Sequence, residues 1–254
     1  MAKAKSAYVC TDCGSEYSRW LGQCTDCKAW NTISEFRQAK LPVRGGNFSG
    51  FAGSVANEQA SVQTLDAIDL ADLPRFSSGF VEFDRVLGGG IVPGSAILIG
   101  GEPGAGKSTL LLQTMCALAS SMPALYITGE ESLQQVAMRA KRLGLPTNQL
   151  KMLSETSVEN ICHIALKEQP KILVIDSIQV MHMSDIQSAP GSVSQVRESA
   201  AYLTRFAKQY HVAILLVGHV TKDGSLAGPK VLEHCIDCSI MLEGSTDSRY
   251  RTLR

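Results

Sequence analysis

The chain has 254 residues, with 24 lysines and arginines balanced by 24 aspartates and glutamates, so its formal net charge is zero. Bulk electrostatics therefore point to neither nucleic acid nor membrane, and any basic surface has to be local. No apolar stretch approaches the roughly 18 residues of a membrane helix, and Met1-Ala2-Lys3-Ala4-Lys5-Ser6 carries charge with no apolar run behind it, so the expectation is a soluble, cytoplasmic chain with no membrane partner. Its eight cysteines are read as metal ligands or buried thiols, because no export signal accompanies them.

Residues 1–36 are aromatic and poor in aliphatics, and a piece this small does not fold on apolar burial alone. Cys10, Cys13, Cys24 and Cys27 form two C-x-x-C knuckles ten residues apart, with Gly14 and Lys28 following them at positions suited to tight turns. Four thiolates in this pattern point to tetrahedral structural Zn2+. The gap accommodates one hairpin carrying Tyr17 and Trp20. A thioredoxin-like redox pair is the lesser alternative, since no βαβ context surrounds the cysteines. A closed four-cysteine site leaves no open position for catalysis. Residues 37–75 shift to Gly, Ser, Ala, Asn and Gln and read as a linker. Within it, Leu65 to Leu73 alternates apolar with acidic residues, which suits either docking or a solvated tether.

Residues 76–254 are enough to bury about 70% of their unfolded surface. Apolar runs at Ala96 to Gly100, Ala124 to Thr128, Ile172 to Asp176, Ala213 to Gly218 and Cys238 to Glu243 are expected to be strands. Helical patterns fall between them at Ser108 to Ala119, Leu133 to Leu143, Val158 to Lys167 and Val193 to Tyr210. That alternation argues for an α/β fold with a mostly parallel sheet covered on both faces, whose ligands bind at the strands' carboxyl ends.

The first strand breaks into Gly101-Glu102-Pro103-Gly104-Ala105-Gly106-Lys107-Ser108-Thr109. Gly101, Gly106, Lys107 and Ser108 satisfy the G-x-x-x-x-G-K-[ST] spacing. Backbone amides and a helix N-terminus there surround phosphate oxygens, Lys107 reaches the β- and γ-phosphates of ATP, and Ser108 sits on Mg2+. Glu130 and Glu131 follow the second strand. One of them polarises the attacking water, with Glu130 favoured, although acids at a helix start also complement its dipole without chemistry. Arg139, Lys141 and Arg142 make a basic face on the next helix, expected to face solvent or a neighbouring subunit. Asp176 closes a strand beside the phosphate loop, where a carboxylate holds Mg2+ through water. His219 ends another strand, placed to sense the γ-phosphate.

Two rim loops, His182 to Ser194 and Thr221 to Lys230, are candidates to meet DNA. The second carries Lys222 and Lys230 with no aromatic, which favours phosphate contact over base stacking. Cys235 and Cys238 run into a strand with no second pair nearby and are read as buried thiols, as are Cys116 and Cys162.

Phe83-Asp84-Arg85-Val86-Leu87-Gly88-Gly89-Gly90 before Val92-Pro93-Gly94-Ser95 is similar to the lead-in of a RecA-type ATPase core. The phosphate loop, Gly129-Glu130-Glu131-Ser132, Asp176-Ser177-Ile178-Gln179, Ala189 to Glu198 and Gly218-His219-Val220-Thr221-Lys222-Asp223-Gly224, together with the cysteine knuckles, resemble the bacterial RadA (Sms) family over nearly the whole chain. The resemblance implies a ring, of hexameric type, that hydrolyses ATP and drives branch migration in recombination and repair. It further implies single-stranded and branched DNA, the recombinase RecA and the replicative helicase machinery as partners, and groups Arg197 with the DNA contacts. Family members continue past Arg254 into a Lys-Asn-Arg-Phe-Gly motif and a Lon-protease-like domain, so the chain is expected to be a truncated form in which Arg249, Arg251 or Arg254 would have to stand in for a lost cation. Two other readings share parts of the pattern: a clock-protein-type regulatory ATPase, and a binding module whose zinc knuckles recruit a helicase.

Overall fold

Apolar runs of five residues with no polar alternation are stable as strands only where both faces are covered, and four such runs form the centre of the sheet. In the computed structural model, which describes residues 6–10, 15–17, 19–37, 64, 66, 74–219, 232–244 and 250–254, each residue of these four central strands is buried.

The N-terminal part is a small antiparallel sheet of β1 (Ser6–Cys10), β2 (Glu16–Tyr17) and β3 (Ile33–Arg37), in the order β2-β1-β3. A second unit begins with α1 (Val81–Val86) and continues β4 (Ala96–Gly100), α2 (Lys107–Ala119), β5 (Ala124–Thr128), α3 (Leu133–Arg142), β6 (Lys151–Ser154), α4 (Val158–Glu168), β7 (Ile172–Asp176), α5 (Val193–Tyr210), β8 (Ala213–Val217), β9 (Cys238–Gly244) and β10 (Arg251–Leu253). Its seven strands run in the order β10-β9-β4-β8-β7-β5-β6, all pairings parallel except β10 with β9.

The strand periodicity of two divides the core. Ile97, Ile99, Tyr126, Val174, Leu215 and Val217 pack with Leu111, Met115 and Val136 on one face. Leu98, Ile127, Leu173, Ile175, Ile214 and Leu216 pack with Ile161, Val196 and Phe206 on the other. This is the doubly covered parallel sheet expected from the sequence. Three helices start on serine caps: Ser132, Ser157 and Ser192 each accept from the backbone N–H three residues on, and Gln135 completes a capping box with Ser132.

Three elements of the second unit were not expected. β6 is a partly exposed edge strand, β10 is three residues long, and α1 spans under two turns, so none carries a strong periodic signal. Among the described residues no helix is long and apolar enough to cross a membrane.

Register places the site. Thr128 pairs with Asp176, Ile99 with Val217, and Gly100 with Met241, so the carboxyl ends of β5, β7, β8, β4 and β9 share one rim. Leu98 lies under that rim, with Cδ1 3.0 Å from where a Cβ on Gly218 would sit. Leu98→Ala is expected to cost about 2–5 kcal/mol, seen as a lower denaturation midpoint at constant m-value.

Candidate functional site

The loop after β4 turns through left-handed backbone at Gly104 (φ 81°) and Gly106 (φ 103°), with no neighbouring atom to crowd a side chain at either. Conformation alone therefore demands glycine there. Gly101 is constrained by space as well, since a Cβ on it would lie 2.4 Å from the carbonyl oxygen of Leu242. Lys107, the first residue of α2, is only 3% exposed, and its Nζ donates to the carbonyls of Gly101 at 2.7 Å and Glu102 at 3.0 Å. Burial lowers its pKa, while Asp176 and Glu130 push it back up.

Asp176 is buried at the end of β7 and accepts a 2.5 Å hydrogen bond from the hydroxyl of Tyr126. Burial raises its carboxyl above the usual range, and the hydroxyls of Tyr126 and Ser108 oppose that rise. Tyr126 is pushed well up in turn, first by its own burial and then by Asp176. Ser108 and Asp176 thus come together beside Lys107, with the hydroxyl and carboxylate chemistry that suits a hydrated Mg2+.

The two adjacent acids after β5 take different partners. Glu131 is bonded by Arg139 from α3, and its backbone is fixed by the Thr128 hydroxyl, which donates to the Glu131 carbonyl at 2.7 Å and accepts from its N–H at 3.1 Å. Glu130 instead accepts from the Ser177 hydroxyl and lies 3.3 Å from His219 Nε2. Its carboxyl is held below the usual range, foremost by the His219 hydrogen bond; burial opposes this, and Ser177 and Lys107 assist. His219 has a buried Nδ1 with no hydrogen-bond partner among the described residues, and its carbonyl accepts from Gln179 Nε2 at 3.4 Å. The expected basic face of α3 is corrected at one position. Lys141 and Arg142 are exposed, but Arg139, 15% exposed, is drawn inward by Glu131.

Two residues of this cluster were given no role in the sequence reading. Tyr126 lies inside an apolar strand, and the signal was available, because a buried tyrosine hydroxyl needs a partner. Ser177 follows Asp176 with nothing in its type to mark it.

In the N-terminal sheet, one sulfur each from Cys10, Cys24 and Cys27 lie within 4.8 Å of one another. The Sγ atoms of Cys10 and Cys27 are 3.6 Å apart, close to the edge of about 3.8 Å that a tetrahedron with Zn–S bonds of about 2.3 Å would have. The N–H of Cys27 donates to Cys24 Sγ at 3.5 Å, and Lys28 turns at φ 63° with its N–H on the Cys24 carbonyl, so the second knuckle has the backbone donor pattern of a thiolate ligand. These residues fit a structural zinc. Cys13 lies outside the described residues.

So do Lys222 and Lys230, Arg249, and Leu65 to Leu73 apart from Asp66. Arg197, on α5, is half-buried and 3.3 Å from Glu198. The other rim loop is tied down: the buried Gln195 donates to the carbonyls of Met183, Ile186 and Ser188 and accepts from the N–H of Met183. Cys116, Cys162 and Cys235 are buried and Cys238 half-buried, as expected for thiols without a ligand role; burial carries Cys162 up to about 12.

Residues 80–225 match a family model described as an AAA domain. The chain belongs to the AAA-domain family. Residues 8–35 match a second model, described as a rubredoxin metal binding domain, over the cysteine cluster. The DNA repair protein RadA of Escherichia coli is 71% identical over the whole chain, that of Pseudomonas aeruginosa 56% and that of Bacillus subtilis 47%, with 55% of each relative covered. The RadA likeness expected from the ordered motifs therefore runs through all of this chain, and the chain spans about half the length of these curated relatives. A KaiC-like protein from Pyrococcus horikoshii shares the fold, with a TM-score of 0.58 at 20% identity over 71% of this chain and 87% of that one.

Because Glu130 is held below its ordinary pKa, its contribution to stability is present above the unfolded value and is lost as pH falls through the folded one. Ser177→Ala removes one of the bonds that lower it, so the Glu130 carboxyl is expected to take up its proton at higher pH, and the acid-side loss of thermal stability to begin at higher pH, read from melting midpoints across a pH series. For the cysteine cluster, a strong chelator is expected to release one zinc per chain and collapse the signal of the two tryptophans, while the melting of the AAA domain stays put; apparent zinc affinities of such sites, about 10–16 kcal/mol, make the metal the fold of a segment this small.

Proposed function

We propose that the chain is the nucleotide-driven part of a DNA motor acting in homologous recombination and repair, one that binds single-stranded and branched DNA and promotes branch migration. The carrying observation is the convergence of Lys107, Asp176 and the Glu130–His219 pair on one rim beside a glycine-shaped loop. The names of the relatives support the repair setting, and the AAA domain supports ATP hydrolysis.

In this reading the amides from Gly101 to Thr109 surround the triphosphate, including those of Glu102 and Ala105, while Pro103, having no N–H, only shapes the turn. Lys107 moves from its loop carbonyls onto the β- and γ-phosphates. Ser108 and Asp176 hold Mg2+, which when bound neutralises charge on the phosphate oxygens. Glu130, ionised at neutral pH, orients and polarises the attacking water. His219 reports the state of the phosphate to the segment that follows it. Lys222, Lys230 and Arg197 contribute DNA contacts, and Cys10, Cys13, Cys24 and Cys27 hold Zn2+. The domains are residues 1–36, a linker 37–75 and an ATPase domain 76–254. A cytoplasmic homo-hexameric ring, with RecA and the replicative helicase machinery as partners, completes the proposal.

Glu130→Gln is expected to leave nucleotide affinity intact and lower turnover by about 10²–10⁴-fold. Single-stranded DNA is expected to raise wild-type turnover and to bind less tightly as salt increases. Turnover indifferent to DNA would overturn the motor while leaving the ATPase.

A further inference from the structure

Trp20 and Trp30 are the chain's two tryptophans, and both stand open to solvent, at 56% and 70% exposure. They meet at Gly22: a Cβ built there would lie 3.7 Å from Trp20 Cη2 and 4.0 Å from Trp30 Cζ3. The absent side chain leaves the floor between the indoles open. Their backbone is fixed by the hairpin that carries the second cysteine knuckle, in which Gln23 pairs with Trp30, the N–H of Asn31 donates to the Gly22 carbonyl at 2.8 Å, and the N–H of Cys24 donates to the Ala29 carbonyl at 2.9 Å. The rings are therefore presented by a turn that the metal ligands help to hold.

The surroundings decide what such a surface accepts. A whole aromatic side chain carries about 150–250 Å2, so the two indoles expose roughly 300 Å2 at most, well under the ~800 Å2 per partner of a stable protein interface. Thr25, Asp26 and Asn31, exposed on the same segment, are polar, while its apolar residues Leu21 and Ala29 are half-buried. Arg19 and Lys28, exposed on the same hairpin, have no ion-pair partner among the described residues. Flat π-faces on a segment that also carries two exposed cations match the stacked base and phosphate of a single strand.

We propose that Trp20 and Trp30 form a base-stacking platform for single-stranded DNA on the metal-binding module. The platform rests on the DNA-binding reading above and supplies what the Thr221 to Lys230 segment lacks, which is an aromatic ring. Stacking there is sequence-tolerant, because every base offers a π-face.

The test is a titration of the zinc-loaded chain with oligo(dT), read in parallel by intrinsic tryptophan fluorescence and by anisotropy of a labelled strand. Both indoles lie on the proposed platform, so quenching is expected to saturate together with anisotropy. Trp20→Ala and Trp30→Ala are each expected to weaken binding about 5- to 100-fold, with ATP turnover in the absence of DNA unchanged. Trp20→Phe and Trp30→Phe, checked for full zinc content, are expected to recover most of the affinity. Binding by anisotropy with unquenched tryptophans and wild-type affinity in the alanine variants would overturn the platform and leave the DNA-binding reading standing. Absence of binding by either readout would overturn both. Indoles shielded by another protein and not by DNA would mark a protein dock instead.

Discussion

Lys107 carries its charge at 3% exposure, and much of the rim follows from keeping that charge satisfied. An unpaired buried ammonium is among the costliest groups a fold can contain, so the carbonyls of Gly101 and Glu102 must turn inward to meet it. That inward turn requires the left-handed positions at Gly104 and Gly106 and the close approach of Gly101 to Leu242. The remaining compensation is electrostatic. Asp176 and Glu130 raise the lysine's pKa, and Lys107 in turn helps to keep Glu130 ionised. In the proposed function phosphate replaces the carbonyls as a better acceptor for the same ammonium, so the loop's hydrogen bonds hold the cation in readiness for an anion.

Sheet order turns this local constraint into a site. β8 lies between β4, which delivers the loop, and β7, which delivers Asp176, while β5 brings Glu130 from beyond β7. The end of β8 is consequently the middle of the rim. Gly218 leaves it open, and a side chain there would press on Leu98 of β4. His219, the next residue, reaches Glu130 across β7.

Elements buried on both faces were legible in the sequence because burial leaves a continuous aliphatic run, as in Ile172-Leu173-Val174-Ile175. Elements that depend on a neighbour were not. β6 and β10 gain their pairing from β5 and β9, and their own residues are half polar. The same division holds in the site. The glycine and lysine spacing is a local backbone requirement and could be read directly. The different partners of Glu130 and Glu131 could not, since both stand at one helix start. Arg139, eight residues further and two turns into α3, claims Glu131 and leaves its neighbour to Ser177 and His219. Ser177 matters only through Glu130, which no local pattern announces, while Tyr126 was marked by a hydroxyl inside a buried strand whose partner, Asp176, lies on another.

The Glu130–His219 contact also ties the ionisation of an acid to the position of a strand end. His219 is the foremost cause of the lowered Glu130 pKa, so the ionisation of the carboxylate depends on where the imidazole sits. The backbone of His219 is held by Gln179, from the turn after Asp176, and it leads directly into residue 220 and the segment that carries Lys222. Withdrawal of His219 from Glu130 removes the foremost cause of the lowered carboxyl pKa, which then rises. Linkage makes the converse equally true: a ligand that needs Glu130 ionised favours the position in which His219 holds it. A side chain shared between an acid and a strand end is therefore enough to tie the position of one to the ionisation of the other.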